Sequence, residues 1–149
     1  MFKRILVPVD GSRTSTLGLQ EAIKMAKSHH ATLYLLHVVD ERVLTQTIEG
    51  GAADFDRLLA SLRDSGRQIL AAAQARTRKS RVRAKATLVE NIVNSVAGVI
   101  IGQAKKLRAD LIIIGTHGRR GVRRIVMGSD AEEVVRTTPV PVLLVRSKG

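Results

Sequence analysis

The sequence predicts an α/β protein built on a doubly wound, five-stranded parallel sheet with helices on both faces. Three observations lead there. Short continuous apolar runs, at 5–9, 32–39 and 111–114, have the composition of strands buried on both faces. Between them lie stretches whose apolar residues recur three and four apart over helical lengths. The two kinds of segment alternate as βαβαβαβαβ, and helix-length crossovers between buried strands imply parallel pairing with right-handed connections.

Residues 5–9 (ILVPV) form the first strand, with Pro8 at its exit, where a missing N–H is tolerated. Asp10-Gly11-Ser12 turns the chain, and Leu19, Ala22, Ile23 and Ala26 mark one face of a helix over 15–29. The second strand is 32–39 (TLYLLHVV). From 40 to 53, with Gly50-Gly51, no period is evident, so a loop able to lie over a site is expected. Phe55, Leu58, Leu59, Leu62, Ile69, Leu70 and Ala73 share one face of a long second helix. The third strand, around 82–89, alternates Val82, Ala84, Ala86 and Leu88 with Arg83, Lys85 and Thr87, as a half-exposed edge strand does. Val96, Val99, Ile100, Ala104 and Leu107 give the third helix. The fourth strand at 111–114, a Gly-rich basic loop at 115–128, a short helix from 129 to about 136 and a strand at 140–146 complete the chain.

With 149 residues, 44% of them hydrophobic, the chain is expected to form a single domain over 1–149 whose core needs no disulfide or structural metal. It contains no cysteine, which excludes thiolate metal sites and cysteine nucleophiles and suits a cytoplasmic location. No signal peptide is legible, and the apolar stretch 96–101 is far short of the ~20 residues of a membrane span, so no membrane partner is expected. Charge is the unusual quantity. Twenty-five Lys and Arg against 13 Asp and Glu leave +12, a balance that points toward anionic partners.

In a doubly wound sheet, ligands bind beyond the carboxyl ends of the strands, where the strand order reverses. Between the fourth strand and the last helix the chain reads GTHGRRGVRRIVMGS, a G-x2-G-x9-G-S arrangement of Gly115, Gly118, Gly128 and Ser129. Glycines let backbone N–H groups approach phosphate oxygens, and a helix starting at Ser129 offers unbonded N–H groups and a positive dipole end. Ser129-Asp130-Ala131-Glu132 is also an S-x-x-E capping box, in which the serine would only start the helix. No Walker A Gly-Lys-Ser/Thr occurs, and no G-x-G-x-x-G follows the first strand.

These residues make the chain similar to the universal stress protein family over essentially its whole length. The resemblance lies in Ile5-Leu6-Val7-Pro8-Val9-Asp10-Gly11-Ser12, Leu36-His37-Val38, Ala109-Asp110-Leu111-Ile112, Gly115-Thr116-His117-Gly118, Gly128-Ser129 and Pro139-Val140-Pro141-Val142-Leu143-Leu144-Val145. The complete glycine pattern resembles that of the family's ATP-binding branch. The resemblance implies an adenine nucleotide alpha hydrolase-like sheet of order 3-2-1-4-5 with its site between strands one and four. It implies that Pro8, Val9 and Asp10 line the adenosine end and that Val38 meets adenine through its backbone. Ile114, Gly115, Gly118, Gly128, Ser129 and Asp130 would surround ribose and phosphates. The ligand would be ATP, ADP or AMP, with Mg²⁺ held mainly by the phosphates and Asp10 the candidate protein contact. A homodimer joined along the edge strand from Val140 to Val145 is also implied.

Two positions depart from the family pattern. Asn94 stands where glycine is common before the third helix, and asparagine tolerates a left-handed conformation. Asp130 stands where small or apolar residues are usual. It suits a first helical turn but would repel a polyphosphate unless Mg²⁺ bridges.

Of the four histidines, His29 and His30 close the first helix, where positive charge suits the dipole, and His37 reads as a hydrogen-bonded packing residue. His117 lies in the phosphate loop and could donate to a phosphate. The leading expectation is a cytoplasmic adenine-nucleotide-binding stress-response regulator. Alternatives are a slow ATPase or a phosphoryl or nucleotidyl transferase, for which no base is evident, and a basic interaction protein. The basic residues concentrate in 57–85, within it the run from Arg76 to Lys85, and in Arg119, Arg120, Arg123 and Arg124. The former could hold an acidic protein or nucleic acid weakly, since one Tyr and two Phe provide almost no stacking platforms.

Overall fold

A computed structural model of the chain describes residues 1–47, 50–91, 93–117 and 127–147. Strands β1 (Arg4–Pro8), β2 (Thr32–Asp40), β3 (Ala84–Asn91), β4 (Leu111–Gly115) and β5 (Val142–Val145) form an all-parallel sheet in the order β3-β2-β1-β4-β5. The helices are α1 (Arg13–His29), α2 (Arg42–Thr47), α3 (Ala52–Lys79), α4 (Val96–Leu107) and α5 (Ser129–Thr137). No described helix is long and apolar enough to cross a membrane.

Strand periodicity divides the core into two layers. Ile5 and Val7 point to one face of the sheet, where they pack with Leu33, Leu35, Ile113 and the apolar sides of α1 and α3. Leu6, Leu36, Ile112 and Ile114 point to the other, against Ala97 and Ile100 of α4 and Val134 of α5. Ile5, Val7, Leu33, Ile112 and Ile113 are wholly excluded from solvent, each burial contributing roughly 1.5–3 kcal/mol. Continuous apolar runs are thus required in the central strands, whereas β3 and β5 at the edges are only half-buried.

Element limits differ from the sequence expectation where capping or proline decides them. Ser12 caps α1 by accepting from the Ser15 N–H, so the helix starts at Arg13. The expected loop at 40–53 contains α2, whose six residues are too few to show a period. Its Leu44 is buried against Val39 and Leu59, which holds the helix to α3. The last strand begins at Val142 rather than 140, because Pro139 and Pro141 lack the N–H that a ladder uses. Asn94 has no positive φ; its turn is closed by its own N–H donating to Asn91 Oδ1 at 3.1 Å, so the left-handed tolerance of asparagine is not used.

Gly66, midway along α3, lies directly over β2 and β3. A Cβ there would sit 2.6 Å from His37 Cδ2 and 2.8 Å from Leu88 Cδ1. His37 cannot easily yield, because its Nδ1 donates to the Val9 carbonyl at 2.7 Å. Overpacking costs typically 1–3 kcal/mol, against roughly 1 kcal/mol gained from helix propensity. Gly66→Ala is therefore expected to lower stability by about 1 kcal/mol in urea unfolding; an increase would show that the His37 ring moves aside.

Candidate functional site

β1 and β4 are paired only at Ile5–Leu111 and Leu6–Ile112, whereas β1 and β2 stay in register to Pro8–Leu36. Past Leu6 the two central strands separate, and a cleft of about 690 Å³ opens at their carboxyl ends. This is the reversal point of the strand order, where the topological rule places a ligand. Its volume lies inside the roughly 300–1,000 Å³ of small-molecule sites.

The wall from β1 is shaped by the turn Asp10-Gly11-Ser12. Asp10 Oδ1 accepts from the Ser12 N–H at 2.9 Å, and its own N–H donates to Ser15 Oγ at 3.1 Å. Gly11 has φ 81°, a left-handed value that glycine adopts without strain. From the opposite side, the His117 carbonyl accepts from Ser12 Oγ and from Thr14 Oγ1, tying the first turn of α1 to the exit of β4. The approach is close enough that a Cβ on Gly115 would lie 2.7 Å from the Thr14 backbone. Glycine is needed at 115 for helix–strand contact, a role distinct from the phosphate approach read from the sequence.

The β2 wall carries Val38 and Asp40. Arg42, at the start of α2, donates through Nε and Nη2 to the two Asp40 carboxylate oxygens, at 2.9 Å each. The third wall is the start of α5. Gly128, not Ser129, is its N-cap, there is no side-chain cap hydrogen bond among the described residues, and the capping box read from the sequence is not formed. The N–H groups of the first helical turn and the Ser129 hydroxyl therefore face the cleft uncapped. The loop between His117 and Met127 is closed at its base by the Gly128 N–H donating to the Thr116 carbonyl at 2.6 Å.

Ten of the eleven site residues expected from the sequence line this cleft: Pro8, Val9, Asp10, Val38, Ile114, Gly115, His117, Gly128, Ser129 and Asp130. Gly118 lies outside the described residues, as do Arg119, Arg120, Arg123 and Arg124. Sequence reasoning missed Arg42, Val43 and Leu62, which enter through α2 and α3. Among the described residues, His117 Nε2 is shielded from water without a hydrogen-bond partner, while its Nδ1 lies 3.0 Å from Thr116 Oγ1. Such an atom costs free energy until something pairs with it. His29, by contrast, is occupied away from the cleft: its Nδ1 accepts from the Phe2 N–H at 3.3 Å.

Among the described residues, the charged side chains lining the cleft are mainly acidic. Partial burial, then the nearby carboxylates of Asp40 and Glu133, push Asp130 above the usual carboxyl range; Arg42 opposes this and Asp10 adds to it. Among the described residues no group of three or more His, Asp and Glu side chains is arranged to hold a metal ion.

The family model described as the universal stress protein family matches residues 1–146. The chain belongs to the universal stress protein family. A family member from Methanocaldococcus jannaschii is 31% identical over 98% of this chain and 83% of its own length. A solved family structure from Burkholderia pseudomallei is 32% identical, with a TM-score of 0.79 over 98% of this chain and 97% of its own. A second Methanocaldococcus jannaschii member superposes with a TM-score of 0.87 at 26% identity, covering 100% of this chain and 99% of its own. An Arabidopsis thaliana member solved with AMP bound shares the fold at 18% identity and a TM-score of 0.71, over 99% of this chain and 93% of its own.

Asp130 makes the stability of this universal stress protein depend on pH. With its folded-state pKa raised, the native state holds a proton that the unfolded chain, near 3.9, has released. The penalty is present at neutral pH and is relieved as pH falls through the raised value. Asp130→Asn is expected to stabilise the protein at pH 7 by a few tenths of a kcal/mol, the scale that solvent screening leaves to exposed charges. In thermal melts across pH the gain should shrink toward about pH 4; a gain independent of pH would point to a cause other than charge.

Proposed function

We propose that this protein is a stress-response regulator that holds an adenine nucleotide, ATP or its shorter relatives ADP and AMP, in the cleft between β1 and β4, its occupancy altering a dimer or partner surface. The observation that carries this reading is the start of α5, without a side-chain cap among the described residues, facing a cleft that also carries apolar side chains. Gly128 and Ser129 offer N–H and O–H donors to a phosphate at a positive helix end. Val9, Val38 and Ile114 offer an apolar bed for a base, and the buried His117 Nε2 is a further group able to pair with a ligand oxygen. Asp10 is placed to accept from a ribose hydroxyl or to meet Mg²⁺ carried by the phosphates. AMP in the Arabidopsis relative supports the same class of ligand.

Protein purified and then denatured is expected to release nucleotide on chromatography, and ATP, ADP or AMP should raise the melting temperature of ligand-free protein. No nucleotide and no thermal shift would defeat the reading. Ser129→Ala removes one hydroxyl bond to a charged group, worth roughly 1.5–3 kcal/mol, and should weaken nucleotide binding about tenfold or more in calorimetry. We further propose a cytoplasmic homodimer. β5 has an open edge and its four residues are all half-exposed, a strand that pairing would cover. Light scattering after size exclusion should report two chains; a monomer at micromolar concentration would overturn this.

A further inference from the structure

All strands run one way, so the links that return each helix to the next strand gather at a single pole, opposite the cleft. These links are 27–31, 76–85, 105–110 and 136–141, and residues 1–4 enter β1 from the same side. Together these segments hold thirteen of the 25 Lys and Arg but one of the 13 Asp and Glu, Asp110. The whole formal charge of +12 therefore resides there, and the remaining Lys and Arg are matched by as many acids. Asp110 is engaged by the backbone N–H groups of Lys3 and Arg4 at 2.8 and 3.1 Å and, among the described residues, is in no ion pair with the pole's cations.

Along the sequence the excess falls in 57–85 and the loop arginines; the fold redistributes it. Arg57, Arg63 and Arg67 are paired with Asp54, Glu90 and Asp64. The six cations from Arg76 to Lys85 are all exposed and, among the described residues, in no ion pair. Helix C-termini explain part of this, but each offers only about half a negative charge. A second observation argues against mere dipole matching. Arg81 and Arg108 occupy left-handed positions, φ 57° and 51°, just after α3 and at the C-cap of α4. Glycine would adopt this backbone without strain, yet both positions keep a cation.

Met1 is the only exposed large apolar side chain in these segments, so the pole has little to insert into a bilayer and few of the anchors that carry protein interfaces. Phe2 is its one Phe, Tyr or Trp and packs on His29, so the pole has the arginine-rich surface, nearly without stacking platforms, that phosphate contact alone requires. From β3 to β4 the sheet is about 14 Å wide and the helix layers extend it, enough for several cations to meet closely spaced phosphates at once. We infer that this pole docks on the phosphate backbone of a double-stranded nucleic acid without reading its sequence.

The test is fluorescence anisotropy of the full chain with a short, mixed-sequence DNA duplex across a salt series. Binding should fall steeply with salt. The variant Arg78→Gln/Lys79→Gln/Arg81→Gln/Arg83→Gln should weaken it at least about tenfold and reduce the log–log salt slope by about 0.9 for each phosphate that is no longer neutralised. Arg57→Gln/Arg67→Gln, which removes paired arginines, should bind as the unaltered chain does. All four changed residues of the first variant are exposed, and a retained melting temperature will show that it is folded. The inference is overturned if that variant keeps full affinity, if Arg119→Gln/Arg120→Gln abolishes binding instead, or if phosphatidylserine vesicles are bound more tightly than the duplex. Nucleotide release and thermal shift read the cleft separately, so failure at either end is distinguishable from failure at the other.

Discussion

The junction of β1 and β4 is the constraint on which the rest of this molecule depends. Two register pairs join these strands before they part, and the polar fixings lie at the two ends of the junction rather than along it. At the amino end, Asp110 accepts from the backbone of Lys3 and Arg4. At the carboxyl end, the first turn of α1 bonds the His117 carbonyl, at a distance only glycine at 115 permits. Between them Leu6 and Ile112 are almost completely buried. A cleft can open past Leu6 because the sheet is closed firmly before it.

That arrangement also fixes which end of each helix meets which pole. Parallel strands place every α-helix that crosses between them with its amino end near the cleft and its carboxyl end at the far pole. The amino ends supply N–H donors and a positive potential, and the carboxyl ends supply carbonyls and a negative one. Basic side chains in the last turns of α1, α3 and α4 follow from this physics. The excess over it does not.

Much of this was legible in the sequence. Central strands are buried on both faces, so their apolar runs are unbroken and the sheet could be read directly, while the reversal rule located the site before any distance was known. What stayed hidden depends on contacts distant in sequence. Leu44 anchors a helix too short to have a period. Ser129 fits a capping box in sequence, yet the backbone places the cap one residue earlier, at Gly128. Arg42 joins the cleft by pairing with Asp40, an interaction that no spacing rule announces. The charge of Arg63 disappears from the surface balance because Glu90, on another element, faces it.

The two poles of the molecule differ in composition, which is how a strongly basic chain can have a cleft whose described charged side chains are mainly acidic. Among the described residues lining the cleft, Arg42 is the one guanidinium, and Asp40 already engages it; Asp10 and Asp130 add negative charge. In the nucleotide reading, directional donors from backbone and hydroxyl groups at the start of α5 would hold the phosphate, which favours a ligand of defined shape over bulk negative charge. The far pole has the reverse composition, with long cationic side chains on carbonyl-terminated helices. Cations of that kind reward charge density and tolerate variation in shape. Net charge alone could not separate these surfaces, because the balanced portion of the chain lines the cleft and the unbalanced portion forms the far pole.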